Sequence, residues 1–292
     1  MVCLEECFEI KVQNEYVRGI IHKGNNSKIL IFCPGLAGDR VDCHRIPVDF
    51  GRYVANNGWD LIRFDYRGIG ISDGNTILYG YNDILTDITA VIDYVSSYYE
   101  KITLIGISQA AIQTYYLANN NDKIDALLLW SPLFDKDNSM INTKKSMVEK
   151  SNSKIGSSTT MEKVWNNEHE ELKKGKTMAR PGDVVRISRK FQREKFTHLL
   201  GYPNTGMWIS SRYYEERKKI LDQCIEGNKR SIKIALFRGE LDESVLHDLF
   251  TQRIANDVGM ITVENGDHLF SNVYSRMTLF RKSAQWLNES IK

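Results

Sequence analysis

The chain has 292 residues, of which 42% are hydrophobic and 26% are charged, the balance of a globular protein rather than of a disordered or fibrous one. Its formal net charge of +2 gives no reason to expect nucleic acid as a partner. The five cysteines are scattered and include no C-x-x-C pair, which predicts free thiols in a reducing compartment and argues against a disulfide framework or a zinc site.

The N-terminal stretch MVCLEECFEIKV lacks the basic-then-apolar order of a secretory signal. No apolar run approaches the ~18 residues that a membrane-spanning helix requires. The sequence therefore predicts a cytoplasmic protein without a membrane span.

Short apolar runs alternate along the chain with longer segments of helical periodicity. This alternation predicts a mostly parallel sheet with helices on both faces, and the short turn between the first two runs predicts an antiparallel start. The predicted strands are 8–12, 16–22, 28–35, 59–65, 101–107, 123–132, 231–239 and 259–265, and the predicted helices are 41–58, 82–100, 110–120, 244–256 and 272–290.

The alternation is interrupted between residues 133 and 226, where the sequence is polar and shows no clear strand. We predict that 1–132 and 227–292 form the core and that 133–226 is a lid inserted over one end of the sheet. The lid holds 19 Lys and Arg against 13 Asp and Glu, whereas the rest of the chain has an excess of four acidic residues. A basic lid fits a solvated helical surface, or one that attracts an anionic carrier such as CoA or an acyl-carrier protein.

Ser108 lies where an apolar strand run changes to a helical pattern, in the stretch ITLIGISQAAIQ. A sharp strand-turn-helix would lift this side chain above the carboxyl edge of the sheet, and it requires small residues two positions to either side. Gly106 and Ala110 meet that requirement. The alternative is a serine that only caps the following helix.

The stretch resembles the nucleophile elbow, G-x-S-x-G, of the α/β-hydrolase superfamily, with Ala110 in place of the last glycine. Asp242 follows a predicted strand and Gly239, and His268 follows the final predicted strand, in the family's order of nucleophile, acid and base. FDYRGIGISDG, residues 64–74, resembles a turn of lid-bearing esterases and serine-aminopeptidase-like hydrolases. Within it we interpret Asp65, Arg67 and Asp73 as architectural.

The resemblance implies an α/β-hydrolase fold with a Ser108–His268–Asp242 triad. It also implies an oxyanion hole formed by the backbone N–H groups of Leu36, after Pro34-Gly35, and of Gln109. A serine hydroxyl needs such a base, and histidine supplies neutral imidazole near pH 7. Glu240 and Glu243 flank the predicted acid and are alternatives to it, and Asp135 is the reserve position that some relatives use.

Aromatic side chains of the lid could line an acyl pocket or form the lid's own core; the candidates are Trp165, Trp208 and Tyr213. The sequence contains no P-loop, H-E-x-x-H or EF-hand pattern, so we predict no metal or dissociable cofactor. The expected activity is hydrolysis of a carboxylic ester or thioester. An acyltransferase or carrier thioesterase using the same triad, and a binding protein with an idle triad, remain open at this point.

Overall fold

A computed structural model of the protein describes residues 3–24, 26–35, 38–41, 43–75, 78–134, 199–202, 207–226 and 230–292. The strands are β1 Leu4–Val12, β2 Glu15–Lys23, β3 Lys28–Cys33, β4 Asp60–Asp65, β5 Lys101–Ile107, β6 Ala126–Trp130, β7 Leu199–Tyr202, β8 Met207–Ser210, β9 Lys233–Gly239 and β10 Ile261–Val263. The helices are α1 Ile46–Ala55, α2 Tyr81–Val95, α3 Ala110–Asn120, α4 Ser211–Glu226, α5 Glu243–His247, α6 Leu249–Val258 and α7 Val273–Ser290.

Eight strands form one sheet in the order β1-β2-β4-β3-β5-β6-β9-β10. The hairpin of β1 and β2 is antiparallel, and β2 also runs antiparallel to β4. All the other pairings in this sheet are parallel. The predicted fold class and the antiparallel start are therefore confirmed, and the carboxyl ends of β3, β5, β6, β9 and β10 meet at one edge of the sheet.

Both faces of the sheet are covered, which explains why its central strands have continuous apolar sequences rather than alternating ones. Residues Ile31, Ile62 and Leu104 face a core that they share with α2, α3 and α4. Their neighbours Leu30 and Leu61 face a second core, which is closed by α1 and α7 and centred on Phe50, Trp130 and Phe280. No helix of the described residues is long and apolar enough to span a membrane.

Two predicted helices differ from the structure at turns that periodicity does not detect. Residues 41–58 were predicted as one helix, but His44 and Arg45 adopt left-handed φ values of 56° and 61°, and α1 begins only at Ile46. The predicted helix 244–256 is divided into α5 and α6 at Asp248, which has extended ψ and whose carboxylate accepts the Thr251 N–H at 2.7 Å.

The described part of 199–226 also departs from the prediction, because it holds two short antiparallel strands, β7 and β8, and the 16-residue helix α4. Strands of four residues are too short to show a period. On α4, Tyr213, Arg217 and Ile220 recur at helical spacing and are buried. Their burial places α4 in the core that it shares with α2 and α3.

The turn after β4, residues 66–73, is braced by charged groups as predicted. Arg67 is buried and its Nε donates to Asp87 of α2 at 2.6 Å, while Arg18 of β2 pairs with Asp73. Asp87 is a charged residue within a helix, yet it is only 1% exposed. A buried carboxylate is tolerated there because the Arg67 guanidinium and backbone N–H both bond to it.

Candidate active site

Ser108 occupies the turn that joins β5 directly to α3. Its φ of 52° is left-handed, a strained conformation for a residue with a side chain, and such strain concentrates at functional sites. Gly106 permits the turn, since a Cβ there would overlap the Thr114 hydroxyl and lie 3.0 Å from the Ala110 carbonyl oxygen. The predicted small residues at 106 and 110 thus lie where the end of β5 and the start of α3 are in close contact.

The neighbouring strand holds the backbone of Ser108 in place. The Ser108 N–H donates to the Trp130 carbonyl at 3.0 Å, and the Ser108 carbonyl accepts from the Leu133 N–H at 3.1 Å. The end of β6 and the residues just after it therefore hold the turn by hydrogen bonds on both sides of Ser108, which keeps the hydroxyl at the carboxyl edge of the sheet.

Asp242 lies just beyond β9, where its carboxylate caps α5 by accepting the Ser244 N–H at 3.2 Å. Its side chain is only 1% exposed. Burial by itself raises the pKa of this carboxyl, but the hydrogen bond and charge of His268, the Ser131 hydroxyl and the Val245 N–H outweigh burial and lower the pKa below its usual value. The group is therefore an anion at neutral pH.

His268 joins the two groups. Its Nδ1 lies 2.7 Å from Asp242 Oδ2, and its Nε2 lies 3.0 Å from Ser108 Oγ. Because an ionised carboxylate only accepts hydrogen bonds, the proton of a neutral ring resides on Nδ1 and Nε2 accepts from the serine hydroxyl. The structure thus brings hydroxyl, imidazole and carboxylate together in series from three distant parts of the chain.

Contacts between the loops after β9 and β10 produce this meeting. The Leu241 N–H donates to the Gly266 carbonyl at 2.8 Å, and a Cβ on Gly239 would overlap the carbonyl oxygens of Gly266 and Asp267. Gly239 is therefore required where the segment before the histidine crosses the segment before the aspartate. The two side chains meet because their backbones are bonded together.

Glu240 and Glu243 do not reach the imidazole. Glu240 points away and accepts the Asn265 N–H at 2.9 Å, and Glu243 is an exposed residue in the first turn of α5. Asp135 lies outside the described residues.

The predicted oxyanion donors are described only in part. Gln109 immediately precedes α3, at a helix end where backbone N–H groups carry partial positive charge. Leu36 lies outside the described residues, but Gly35 before it lies against the turn, since a Cβ there would be 3.6 Å from Ser108 Cβ.

The three aromatic candidates from residues 133–226 are placed differently. Trp165 lies outside the described residues, and for Trp208 the structure describes the backbone of β8 but not the side chain. Tyr213 is buried on α4 with its ring perpendicular to that of Tyr81 at 5.2 Å.

Sequence reasoning missed Ser131, which directly follows β6. This residue is buried with a left-handed φ of 43°, and its N–H donates to the Phe237 carbonyl of β9, the strand that leads to Asp242, at 2.9 Å. The signal for it is topological, because the residue after β6 lies beside the end of β9 only once the strand order is known.

A mostly parallel sheet whose carboxyl edge carries this serine, histidine and aspartate in the order found here is the architecture of the α/β-hydrolases. The profile of the family described as serine aminopeptidase, S33, matches residues 24–194. The chain belongs to this family and is a serine hydrolase. No curated protein matches the chain by sequence.

Solved structures are similar in fold over nearly the whole chain. Est1E from Butyrivibrio proteoclasticus, with ferulic acid bound, is 17% identical, with a TM-score of 0.67 over 97% of this chain and 99% of its own. The Pyrococcus furiosus esterase Pf2001 is 15% identical, with a TM-score of 0.61 over 98% and 91%. The α/β-hydrolase GrgF from Penicillium sp. sh18 is 15% identical, with a TM-score of 0.63 over 98% of both chains.

Proposed function

We propose that the protein hydrolyses a carboxylic ester through an acyl-enzyme formed on Ser108. The observation that carries this proposal is the continuous series of contacts from Ser108 Oγ to His268 Nε2, at 3.0 Å, and from His268 Nδ1 to Asp242 Oδ2, at 2.7 Å. Of the structures of similar fold, Pf2001 is named as an esterase and Est1E has a carboxylic acid, ferulic acid, bound. Both support an ester as the substrate class.

In the first half-reaction, His268 Nε2 takes the hydroxyl proton as Ser108 Oγ attacks the ester carbonyl. Asp242 stabilises the imidazolium that forms. The negative charge on the carbonyl oxygen is stabilised by backbone N–H groups, for which Gln109 and Leu36 are the candidates. The imidazolium then protonates the departing alcohol, leaving the acyl group on Ser108.

In the second half-reaction, His268 removes a proton from water, which attacks the acyl-enzyme. The imidazolium then returns this proton to Ser108 Oγ as the bond to the acyl group breaks and the acid is released. If an acceptor alcohol or thiol replaced water, the same groups would catalyse acyl transfer. The basic excess of residues 133–226 supports testing an anionic thioester such as acyl-CoA.

The test is labelling by a fluorophosphonate, which reacts with activated serines, together with turnover of a nitrophenyl ester. Ser108→Ala is expected to abolish labelling and to reduce ester turnover by at least about 10³-fold. Ser96→Ala, which changes a serine after α2 whose hydroxyl donates to the Asp93 backbone carbonyl, is the matched control and is expected to label fully. Full labelling of Ser108→Ala would reject the proposed role.

A substrate panel then separates the remaining classes. It includes a methyl hydroxycinnamate, an acyl-CoA and an aminoacyl anilide, the last because the matching family is described as serine aminopeptidases. Turnover of the anilide with the esters untouched would make the protein a peptidase. A wild-type protein that neither labels nor turns over any member would be a binding protein on a hydrolase fold.

A further inference from the structure

Gly35, near the start of the loop after β3, lies against the nucleophile turn. Of this loop, residues 34–41, the structure describes Pro34, Gly35 and 38–41. A Cβ on Gly35 would lie 3.3 Å from the Ile107 carbonyl oxygen and 3.6 Å from Ser108 Cβ, so the loop and the turn are in close contact. Movement of this loop by a fraction of an ångström would therefore change the surroundings of the reacting oxygen.

The first end of the loop is held by Tyr66, whose hydroxyl donates to the Pro34 carbonyl at 3.2 Å. The Tyr66 side chain is buried and its ring packs perpendicular to that of Phe64 at 5.4 Å. Burial, followed by the nearby Cys33, Tyr213, Tyr81 and Asp87, raises the pKa of the phenol well above its usual value. The hydroxyl therefore keeps its proton and remains a donor.

The second end of the loop is held by Asp65, the residue directly before Tyr66. Its fully buried carboxylate accepts the Arg40 backbone N–H and the Arg40 Nη1, each at 2.6 Å. The Ile71 N–H donates to the same carboxylate at 2.8 Å, and Gly70 leaves room for it, since a Cβ there would overlap the carboxylate. One buried anion thus fixes both the backbone and the side chain of Arg40.

Between these two ends the loop closes on itself, because the Gly38 N–H donates to the Gly35 carbonyl at 3.0 Å. The two anchoring residues are consecutive at the carboxyl end of β4, the strand paired with β3. Pro34 and Arg40 are therefore both held by one strand end, and anchors of this kind are pre-organised. Such pre-organisation lets donors stabilise developing charge without rearrangement during the reaction.

We propose that Tyr66 and Asp65 are positioning residues, which clamp Pro34 and Arg40 on either side of the predicted oxyanion donor and so set the position of that donor relative to Ser108. This proposal rests on the proposed function, because it concerns the same tetrahedral intermediate. Neither residue touches the reacting atoms. They act through Pro34 and Arg40, on either side of the segment in which the second donor is predicted.

The first experiment is Tyr66→Phe, which removes only the hydroxyl. Since a misplacement of about 1 Å costs on the order of 10²-fold in rate, we expect kcat to fall by about 10-fold or more, with KM within about 2-fold. Inhibition by a trifluoromethyl ketone, whose adduct carries an oxyanion, should weaken by the same factor as kcat/KM. The pH profile should not change, because the triad is intact.

Tyr99→Phe is the matched control. It removes a phenol that donates to Asp60 at 3.0 Å at the opposite end of β4, and it should leave the kinetics unchanged. Rates are divided by the active-site concentration from fluorophosphonate titration, so partial unfolding lowers the titre and not the rate per site. An unchanged kcat per site in Tyr66→Phe, or an equal loss in Tyr99→Phe, would overturn the clamp.

Arg40→Ala keeps the inference testable if Tyr66→Phe folds poorly. It removes the side-chain half of the second anchor and should lower kcat per site, while Arg40→Lys should recover part of the loss. Arg52→Ala, which removes an exposed partner of Glu5, is its control. Full activity per site in Arg40→Ala would overturn the clamp alone, whereas an inactive wild type would overturn the proposed function and the clamp with it.

Discussion

At the scale of single residues, the site depends on which of three neighbouring acidic side chains contacts His268. Asp242, Glu240 and Glu243 lie within four residues, yet only Asp242 is buried against the imidazole. The sequence could predict this choice because the position follows a strand and Gly239. It could not predict Ser131 or Tyr66, since their partners become neighbours only through the order of the strands.

We predict that Asp242→Asn lowers kcat by about 10³–10⁴-fold, because an amide N–H facing Nδ1 favours the tautomer that protonates Nε2. The wrong tautomer cannot accept the Ser108 proton. Ester turnover and the rate of fluorophosphonate labelling measure the effect. Glu240→Gln and Glu243→Gln are the controls, and a larger loss in either of them would assign the acid to that residue.

At the scale of elements, the strand and helix around Ser108 are packed as one unit. Small residues at 106 and 110 could be predicted from the motif, whereas the part played by Thr114 could not. Its hydroxyl donates to the Ala110 carbonyl at 2.8 Å and fills the space that a side chain at 106 would need. The helix boundaries near His44 and Asp248 could not be predicted either, because they are set by local turns that periodicity does not detect.

We predict that Gly106→Ala destabilises the protein by about 1–3 kcal/mol, the usual cost of overpacking a core. Because the Thr114 hydroxyl is the nearest atom, the double variant Gly106→Ala/Thr114→Ala should cost less than the sum of the two single changes. Urea denaturation of the four proteins measures the coupling. Strict additivity would show that Thr114 does not limit the space at 106.

At the scale of the whole molecule, a buried histidine at the sheet's antiparallel end is expected to make the stability of the protein depend on pH. His22 of β2 is fully buried, and its Nε2 accepts from Arg63 Nε at 2.7 Å. Burial and then the Arg63 charge lower the pKa of His22 to about 4, against the partly opposing charge of Glu5 on β1. Arg52 of α1 adds to the lowering.

A folded-state pKa below the unfolded one means that the unfolded chain takes up the proton first as the pH falls. The contribution of His22 is therefore complete above its ordinary pKa and declines as the pH falls from about 6.5 towards 4. We expect a loss of about 2 kcal/mol from this residue between pH 7.5 and 5. His22→Gln, which keeps an acceptor for Arg63, should flatten that part of the urea-stability profile, and an unchanged profile would contradict the prediction.

The chain leaves the sheet after β6 and returns in β9, which is the adjacent parallel strand. The described contacts of Ser108, His268 and Asp242 reach only as far as Leu133 after β6. By contrast, Tyr213, Arg217 and Ile220 of α4 are buried against the sheet's own core. A chimera in which a relative's segment replaces residues 135–210, to transfer its substrate selectivity, should therefore be joined at residues 134 and 211. A junction at 226 instead would also replace α4 and would remove its buried side chains from the core.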